Sequence, residues 1–461
     1  MDDRSARPFG MRDKLGYLLG DFGNDFTFLL SSSFLMKFYT DVMGVSAAVV
    51  GIIMMIARFV DSFTDVTMGR ICDRSRITRH GKFRPWVARM CGPVAVASFL
   101  IYQGSLAGMP MAFKVGYLFV TYILWGSVFY TAINIPYGSM ASAISPEPDD
   151  RQSLSTFRSL GATLANTFIG VVVPLIAYTT DAAGNTVMNG GRFTLVAGIC
   201  SVLAVACHLG CFYLTTERVI PNPGGDQPGV WRMFRNALVN RALISVIAAS
   251  VLLLLAQLTM QSMNGYVYPN YYRSASAQSA STVLMMAATL LAGALAKPLA
   301  RHVGKAESAA AACVLATLAL AALYLLRPAS VWAYVAIQTV AWFGLGVYNM
   351  VSWAMITDVI DYSELKNGVR EDGSIYALYS FARKLGQAAS AGLSGALLSV
   401  IGYSQATAFD EGVVNGIYGI STLLPALSFA LLALVLWFWY PLHKGKVNEN
   451  VAALKQKRHG N

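Results

Sequence analysis

Charged residues are scarce in this sequence of 461 residues: only 13% are Asp, Glu, Lys or Arg, whereas 55% are hydrophobic. Soluble domains carry about 25% charged residues. Apolar runs of about 20 residues recur along the whole chain, which a single soluble core would not require. The net charge of +11 does not indicate nucleic-acid binding, because Lys and Arg cluster in short loops, as in membrane proteins.

Cysteine and histidine are also few, with six and five residues. The cysteines form no CxxC pair and show no metal-ligand spacing, so we expect buried free thiols and no bound metal or other cofactor. His208 is the only histidine inside an apolar run, where a packed side chain is expected. The spans lack a Ser/His or metal constellation for protease or transferase chemistry. An intramembrane enzyme is therefore only a remote alternative.

The apolar runs predict about twelve membrane helices. Helices are expected because every backbone N–H and C=O must be satisfied within its own segment in lipid. The first run begins near Leu15 and is as long as a span, so we expect a retained helix and no cleavable signal peptide. The predicted spans are 15–40, 46–70, 85–107, 113–143, 155–179, 193–214, 242–268, 279–300, 307–326, 331–357, 375–402 and 412–440.

Loop charges predict the orientation. The stretch between the second and third spans carries six bases, and both ends of the chain are basic. These segments lie on one side only if the number of spans is even, and that side is expected to be the cytoplasm. We therefore expect a multi-pass protein of the bacterial cytoplasmic membrane with both termini in the cytoplasm.

A polar linker rich in proline and glycine divides the spans into two sets of six. The predicted organisation is an N-terminal half at 1–214, a cytoplasmic linker at 215–241, a C-terminal half at 242–440 and a cytoplasmic tail at 441–461. This all-α arrangement is the plan of the major facilitator class. We expect a monomeric transport unit that contacts membrane lipid.

Three charged residues lie on one face of the second span. Arg58, Asp61 and Asp65 are spaced i, i+3 and i+7. Unpaired, they would cost on the order of 8–10 kcal/mol in the membrane. Two carboxylates with the hydroxyl of Thr64 suit a small hard cation, or the two acids could share a proton. The alternative is a salt-bridge network that only holds helices together, although two acids with one base leave one acid spare.

Charges at similar depth occur on three other spans. Asp25 lies near the middle of the first span, Arg158 early in the fifth and Lys384 in the eleventh. With the three residues of the second span they give three charges of each sign, as a closed, paired cavity requires. Asp21 and Arg383 are less certain members, for which a snorkelling or gating role is also open.

Uncharged polar side chains form stripes on two spans. The fourth carries Tyr130, Thr131 and Asn134, and the seventh carries a stripe that includes Gln261. Such groups suit sugars, which offer hydroxyls and apolar C–H faces, whereas interhelical hydrogen bonding is the alternative for both stripes. The full seventh-span stripe is Gln257, Gln261, Asn264 and Tyr268, and the possible stacking rings are Trp125, Trp353 and Tyr379.

Acidic residues end the tenth span. Asp358, Asp361 and Glu364 are expected to face a basic loop system that includes Arg84 and Arg370, and to form a cytoplasmic gate. Ion pairs made there in one access state and broken in the other would bias the switch. The alternative is solvated loop charge.

Over essentially its whole length, the sequence resembles the glycoside–pentoside–hexuronide:cation symporters, the melibiose permease group. This resemblance implies uptake of a sugar or glycoside coupled to Na⁺, H⁺ or Li⁺, by alternating access between two halves. A lipid or drug carrier on the same scaffold is the alternative. The blocks that carry the resemblance occur in order: GDFGNDF at 20–26, FYTDVMGVS at 38–46, ARFVDSFTD at 57–65, HGKFRPW at 80–86, NIPYGSM at 134–140 and DVIDYSELKNGVREDGSIYALYSFARKLGQ at 358–387.

The resemblance also implies roles for single residues. Asp61 and Asp65 match the family's cation-binding acids, with Thr131 as a nearby hydroxyl and Arg58 as a charge partner. The implied sugar-binding positions, together with those from the polar stripes, are Asp25, Arg158, Asn134, Tyr130, Lys384, Ser380 and Gln261.

The sequence departs from melibiose permease at four positions. Thr64 stands at a cation-ligand asparagine, Asn134 at a sugar-binding aspartate, Asn24 at a lysine and Gly138 at a tryptophan. Selectivity for Na⁺ is therefore open, and the sugar pocket differs from that of the permease.

Overall fold

The computed structural model describes residues 7–219, 240–367 and 372–459. Its six N-terminal helices are α1 (Met11–Asp41), α2 (Ala47–Arg74), α3 (Arg84–Ile101), α4 (Met111–Ile144), α5 (Pro148–Ala177) and α6 (Gly190–Leu214). A short 3₁₀ helix, Gly104–Gly108, follows α3. The antiparallel strands β1 (Tyr178–Thr180) and β2 (Thr186–Met188) form a hairpin between α5 and α6, with Thr179 opposite Val187.

The C-terminal helices are α7 (Arg241–Tyr271), α8 (Ala275–His302), α9 (Lys305–Leu326), α10 (Val331–Asn367), α11 (Asp372–Val400), α12 (Glu411–Trp439) and α13 (Lys444–His459). The predicted class, an all-α membrane protein with the major facilitator fold, is confirmed. Helix α13 was not predicted, because the tail is polar and shows no apolar period. Helix α10 continues ten residues beyond the predicted end of its span, since its acidic turns extend past the apolar run.

Ten of the described helices are long and apolar enough to cross a membrane. Helices α1 and α11 complete the set of twelve but do not meet this criterion. Both are long, at 31 and 29 residues, but α1 carries Asp21 and Asp25, and α11 carries Arg383 and Lys384 among many serines and glycines. Both of these helices carry predicted site residues.

The chain divides into two compact units. The first contains Met1–Gly225 with two further segments, Arg273–Ser279 and Gly402–Phe409. The second contains Asp226–Tyr272, Ala280–Ile401 and Asp410–Asn461. The segment Gly402–Phe409 connects α11 and α12, yet it packs with the first unit.

Glycines allow close helix packing inside each unit. In the first, a Cβ on Gly161 of α5 would lie 2.5 Å from the Leu18 carbonyl oxygen of α1. In the second, a Cβ on Gly344 of α10 would lie 2.4 Å from the Ala312 carbonyl oxygen of α9. Lipid supplies no hydrophobic driving force between helices. Small residues at these crossings let the backbones approach closely, so that van der Waals packing holds the helices together.

The expected packed histidine and free thiols are confirmed in the described part of the chain. His208 is fully buried in the first unit, and its Nε2 lies 3.1 Å from Oδ1 of Asn24 on α1. All six cysteines are free, and five are buried. Trp125 is also fully buried, against Tyr122 and Tyr130, so it is a core aromatic residue and not an accessible stacking ring.

Candidate functional site

The charged cluster on α2 meets the middle of α4. Arg58 Nη1 donates to Asp61 Oδ2 at 2.9 Å, and the Ser127 hydroxyl donates to Asp61 Oδ1. Arg58 also donates to the Tyr122 hydroxyl at 3.0 Å, and its guanidinium lies 5.4 Å from the ring centre of Phe28. Asp61 is only 4% exposed. Both of its carboxylate oxygens are therefore held by protein donors.

Asp65, one turn further along α2, has a different partner. The Thr131 hydroxyl of α4 lies 2.8 Å from Asp65 Oδ1, and it also lies 3.3 Å from the Gly126 carbonyl oxygen. Thr64 donates to the Asp61 carbonyl oxygen of its own helix at 3.3 Å. The structure thus brings Asp65 and Thr131 together, as the sequence predicted, whereas the Thr64 hydroxyl is directed at the backbone.

A π-helical segment of α4, Leu124–Tyr130, positions these α4 groups. Such segments shift the backbone register inside an α-helix and are frequent at functional sites. Here the segment contains Ser127, and it directs the Gly126 carbonyl towards Thr131. A Cβ on Gly126 would lie 3.8 Å from Asp61 Oδ1. Ser127 and Gly126 were missed in the sequence, because a π segment has no distinctive residue pattern.

The donor set around Asp61 and Asp65 consists of hard oxygens. It comprises two carboxylates, the hydroxyls of Ser127 and Thr131, and the Gly126 carbonyl. Arg58 compensates the charge of Asp61 within this cluster. Oxygen ligands of this kind fit Na⁺ or Li⁺. The described residues contain no group of three or more His, Cys, Asp or Glu side chains that could hold a metal ion, so hydroxyl and carbonyl ligands would have to complete the site.

A second polar group in the same unit surrounds Asp25. Arg158 Nε donates to Asp21 Oδ1 at 2.9 Å, and the guanidinium lies 5.5 Å from the ring centre of Tyr137. The sequence had grouped Arg158 with Asp25, but its ion-pair partner is Asp21, one turn earlier on α1. Within the described ranges, Asp25 makes no hydrogen bond or ion pair. The Arg158 side chain is 43% exposed.

Two residues of α4 contribute to this second group. The Tyr130 ring stacks on Phe28 of α1, with ring centres 5.9 Å apart. Asn134 lies one turn further along α4 and is half-buried. In the part of the chain that the structure describes, neither the Tyr130 hydroxyl nor the Asn134 amide makes a hydrogen bond. Asp25, Tyr130, Asn134 and Arg158 are the predicted sugar-binding residues of the first unit, and we call them the polar pocket group.

The predicted residues of the C-terminal half belong to the second unit. Asn264 and Tyr268 of α7 are joined to Gln338 of α10 by hydrogen bonds of 2.9 and 2.8 Å. These two stripe residues therefore serve interhelical bonding, which was the alternative expectation. Gln261 lies on the same helix and is half-buried.

Helix α11 carries Ser380, which is exposed, and Lys384, which is half-buried. Arg383 lies 6.0 Å from the ring centre of Trp353 and 5.9 Å from that of Tyr379. The two rings also contact each other edge to face. These rings are therefore cation–π partners of Arg383 inside the second unit.

The predicted cytoplasmic gate lies partly outside the described residues, because Arg370 is not among them. Asp358 of α10 accepts two contacts from Lys305 Nζ of α9, at 2.7 and 2.9 Å. Asp361 and Glu364 follow on the same helix. The guanidinium of Arg84 donates to the Phe212 carbonyl oxygen inside the first unit.

Glu217, which the sequence did not single out, caps α3. Its carboxylate accepts hydrogen bonds from the backbone N–H groups of Lys82, Phe83 and Arg84, at 2.7, 2.9 and 2.6 Å. Burial raises the pKa of this carboxyl, against the opposing effect of the three amides. A carboxylate at this end satisfies the free amides and complements the helix dipole. The segment after α6 is thereby attached to the start of α3.

Several curated proteins are similar to this chain over nearly its full length. The glucuronide carrier protein homolog of Escherichia coli (strain K12) is 30% identical over 449 residues, which cover 97% of this chain and 96% of that protein. The isoprimeverose transporter of Lactiplantibacillus pentosus is 31% identical over 93% and 88% of the two chains. The putative sulfoquinovose importer of Salmonella typhimurium is 28% identical over 97% and 93%.

Solved transporter structures share the fold. The nucleoside transporter NupG gives a TM-score of 0.65 at 14% identity, covering 94% of this chain and 100% of that one. A D-xylose–proton symporter gives 0.62 at 17%, covering 95% and 98%. The family model described as "MFS/sugar transport protein" matches residues 16–444. This chain is thus a multi-pass membrane transporter, not an enzyme, and it belongs to the MFS/sugar transport family, as its resemblance to the glycoside–pentoside–hexuronide:cation symporters implied.

Proposed function

We propose that this protein is a symporter that imports a sugar or glycoside together with Na⁺ or H⁺, with Li⁺ as a possible substitute, by alternating access. One observation carries the proposal. Neighbouring residues of α4 serve both polar groups of the first unit: Thr131 contacts Asp65, while Tyr130 and Asn134 belong to the polar pocket group. We infer that a change at the cation cluster would reach the sugar groups through this one helix.

The polar pocket group supports a polyhydroxylated ligand. Asp25, Tyr130 and Asn134 offer hydrogen-bonding atoms without partners among the described residues, and all three are half-buried. A sugar would supply partners for all three, and the exposed Arg158 would add a charged donor. The relatives named for glucuronide, isoprimeverose and sulfoquinovose support this ligand class.

The cation cluster supports coupling. We infer that a cation binds at Asp61 and Asp65 with Ser127, Thr131 and the Gly126 carbonyl, while Arg58 fixes the orientation of Asp61. A bound cation would stabilise the contact between α2 and α4 and hold Tyr130 and Asn134 in place for the sugar. Coupling of this kind is reciprocal and typically amounts to about 1–3 kcal/mol, or roughly 5–150-fold in affinity.

For the second unit we propose the implied roles. Lys384, Ser380 and Gln261 would add hydrogen bonds to the sugar. Asp358, Asp361, Glu364 and Arg370 would form the cytoplasmic gate. The Lys305–Asp358 ion pair supports charge pairing at that end of α10.

A ligand panel tests the proposed function. The purified protein is heated with hexuronides, pentosides, hexosides, sulfonated sugars and amphiphilic drugs, with and without Na⁺, at two pH values. Ligands that bind the folded state raise its melting temperature. We expect one sugar class to raise it more when the coupling cation is present. Stabilisation by amphiphiles alone would refute sugar symport and favour the drug or lipid carrier.

A further inference from the structure

An open groove runs along the surface of the first unit, between α3 and α6. Its volume is about 660 Å³. Phe99 of α3 forms one wall, and one face of α6, from Gly191 to Leu203, forms the other. Sites for small molecules in proteins have volumes of about 300–1,000 Å³, so the groove is large enough for a ligand. It shares no residue with the cation cluster or with the polar pocket group.

Two glycines of α6 leave this space open. Gly191 and Gly198 are seven residues apart and therefore lie on one face of the helix. A Cβ on Gly198 would lie 3.4 Å from Cε2 of Phe99, so the ring packs against bare backbone there. On the same face, the apolar residues Leu195 and Val202 are 60% and 69% exposed. A leucine in place of either glycine would fill part of the groove.

The 3₁₀ helix that follows α3 is attached to α6 at one end of the groove. The Thr194 hydroxyl lies 2.6 Å from the Tyr102 carbonyl oxygen and 3.0 Å from that of Gly190, and it accepts from the Gly104 N–H at 3.0 Å. Thr194 is the one lining residue with a polar side chain, and protein groups already bond to it. The groove therefore offers an apolar surface, which suits an apolar ligand.

The groove lies in the extracellular leaflet. The N-terminus is cytoplasmic and five spans precede α6, so α6 enters the membrane from the extracellular side. From Gly191 to Leu203 the helix rises about 18 Å. The hydrocarbon core of a bilayer is about 30 Å thick, and half of it belongs to each leaflet. The groove thus extends from the headgroups to the middle of the bilayer, along the path of one acyl chain.

A basic side chain lies at the headgroup end of the groove. Arg192 is exposed and belongs to the first turn of α6. It lies seven residues before Ile199, a lining residue, and therefore on the same side of the helix. The positive end of the helix dipole is at the same place, and a guanidinium donates strong hydrogen bonds to phosphate oxygens. A charged donor above an apolar groove is complementary to a phospholipid.

A helix of a second copy of this chain fits the groove less well. A helix with its side chains is about 10–12 Å wide, so a length of 18 Å occupies roughly 1,400–2,000 Å³. This is two to three times the volume of the groove. A second copy would therefore lie over the groove and leave space beneath it, whereas an acyl chain is thin enough to enter.

We propose that the groove is a binding site for one phospholipid of the extracellular leaflet. An acyl chain lies between Phe99 and α6, and the phosphate is held by Arg192. The bound chain fills the space that Gly191 and Gly198 leave, and it packs the end of α3 against α6. The site does not depend on the transported substrate.

The test uses the full chain in bilayer discs of phosphatidylcholine with a small share of phosphatidylethanolamine that carries a diazirine midway along one acyl chain. After irradiation, the labelled residues are mapped by mass spectrometry. We expect labelling of Phe99 and residues 195–203 to exceed, several-fold, that of Phe113 and Val120, which are exposed apolar residues of α4.

A leucine at Gly198 should lower labelling of the groove several-fold. The matched control is Gly116→Leu, which adds the same side chain to the exposed face of α4, where an added Cβ meets no atom within 4 Å. This control should leave labelling of the groove unchanged. Gly191→Leu is the second groove variant, and it keeps the test valid if Gly198→Leu does not fold. The nearest atom to an added Cβ at Gly191 is Asn189 Oδ1, at 3.5 Å.

Arg192→Gln tests the contact with the headgroup. It should lower labelling of the groove by the phospholipid several-fold. It should not change labelling by a diacylglycerol that carries the same diazirine, because this lipid has no phosphate.

Three results would overturn the proposal. Equal labelling of the groove and of the α4 face would mean ordinary contact with bulk lipid, as would equal losses in Gly198→Leu and Gly116→Leu. An unlabelled groove in discs that hold two copies of the chain would assign this surface to a second copy. Unchanged labelling by the phospholipid in Arg192→Gln would show that no phosphate is held there.

Discussion

Replacing Asp65 with asparagine should abolish cation-stimulated sugar uptake while the protein still folds and reaches the membrane. Asp65 supplies the carboxylate that accepts from Thr131, so its replacement removes a charged oxygen ligand of the proposed cation site. The asparagine keeps the size of the side chain and can still accept from Thr131. Uptake at rising Na⁺ and at falling pH measures the effect, and we expect the stimulation, typically 5–150-fold for coupled sites, to disappear.

Two further variants make this test specific. Ser127→Ala removes a hydroxyl bonded to Asp61 but leaves every charge in place, so we expect a smaller effect: a higher cation concentration at half-saturation, with coupling retained. Thr67→Val removes a hydroxyl that donates only to the Phe63 carbonyl on the exposed side of α2, and it should behave as the parent. Full cation stimulation in Asp65→Asn would refute the assignment of this carboxylate.

Most of what could be predicted about the cation cluster followed from the helical spacing of its charged residues. Helical spacing alone placed Arg58 and Asp61 on one face, and their ion pair follows from that spacing. Ser127 and Gly126 could not be predicted, because the i→i+5 backbone bonds of the π segment have no residue signature, and a regular helix would present different side chains to α2. The register of α4 against α2 depends on tertiary packing.

Ion-pair partners on different helices were harder to predict than which residues belong to the polar groups. A count of charges grouped Arg158 with Asp25, but the spacing of Asp21 and Asp25, one helical turn apart, leaves both within reach of a base on α5. The structure selects Asp21. Helix α13 was missed for a related reason: its order depends on Glu307, Asn450 and Leu454 contacts rather than on an apolar period.

Replacing Asp25 with asparagine should weaken sugar binding by roughly tenfold or more while leaving cation binding intact. Asp25 is the one carboxylate of the polar pocket group that makes no hydrogen bond or ion pair in the described ranges, and a hydrogen bond to a charged group contributes about 1.5–3 kcal/mol. Sugar affinity is measured by titration with the sugar class found in the panel, and cation binding by the Na⁺-dependent or pH-dependent shift in melting temperature.

The matched control is Asp21→Asn, on the same helix one turn away. Asp21 accepts a hydrogen bond from Arg158 Nε. Replacing Asp21 should therefore lower sugar affinity only because the Arg158 side chain becomes more mobile. If Asp25 contacts the sugar directly, Asp25→Asn must be the more damaging of the two, and the more so for ligands with more hydroxyls. If Asp21→Asn is the more damaging variant, the Asp21–Arg158 pair recognises the sugar and Asp25 has a structural role. Replacing a carboxylate that makes no hydrogen bond to the sugar would not lower the affinity for sugar directly.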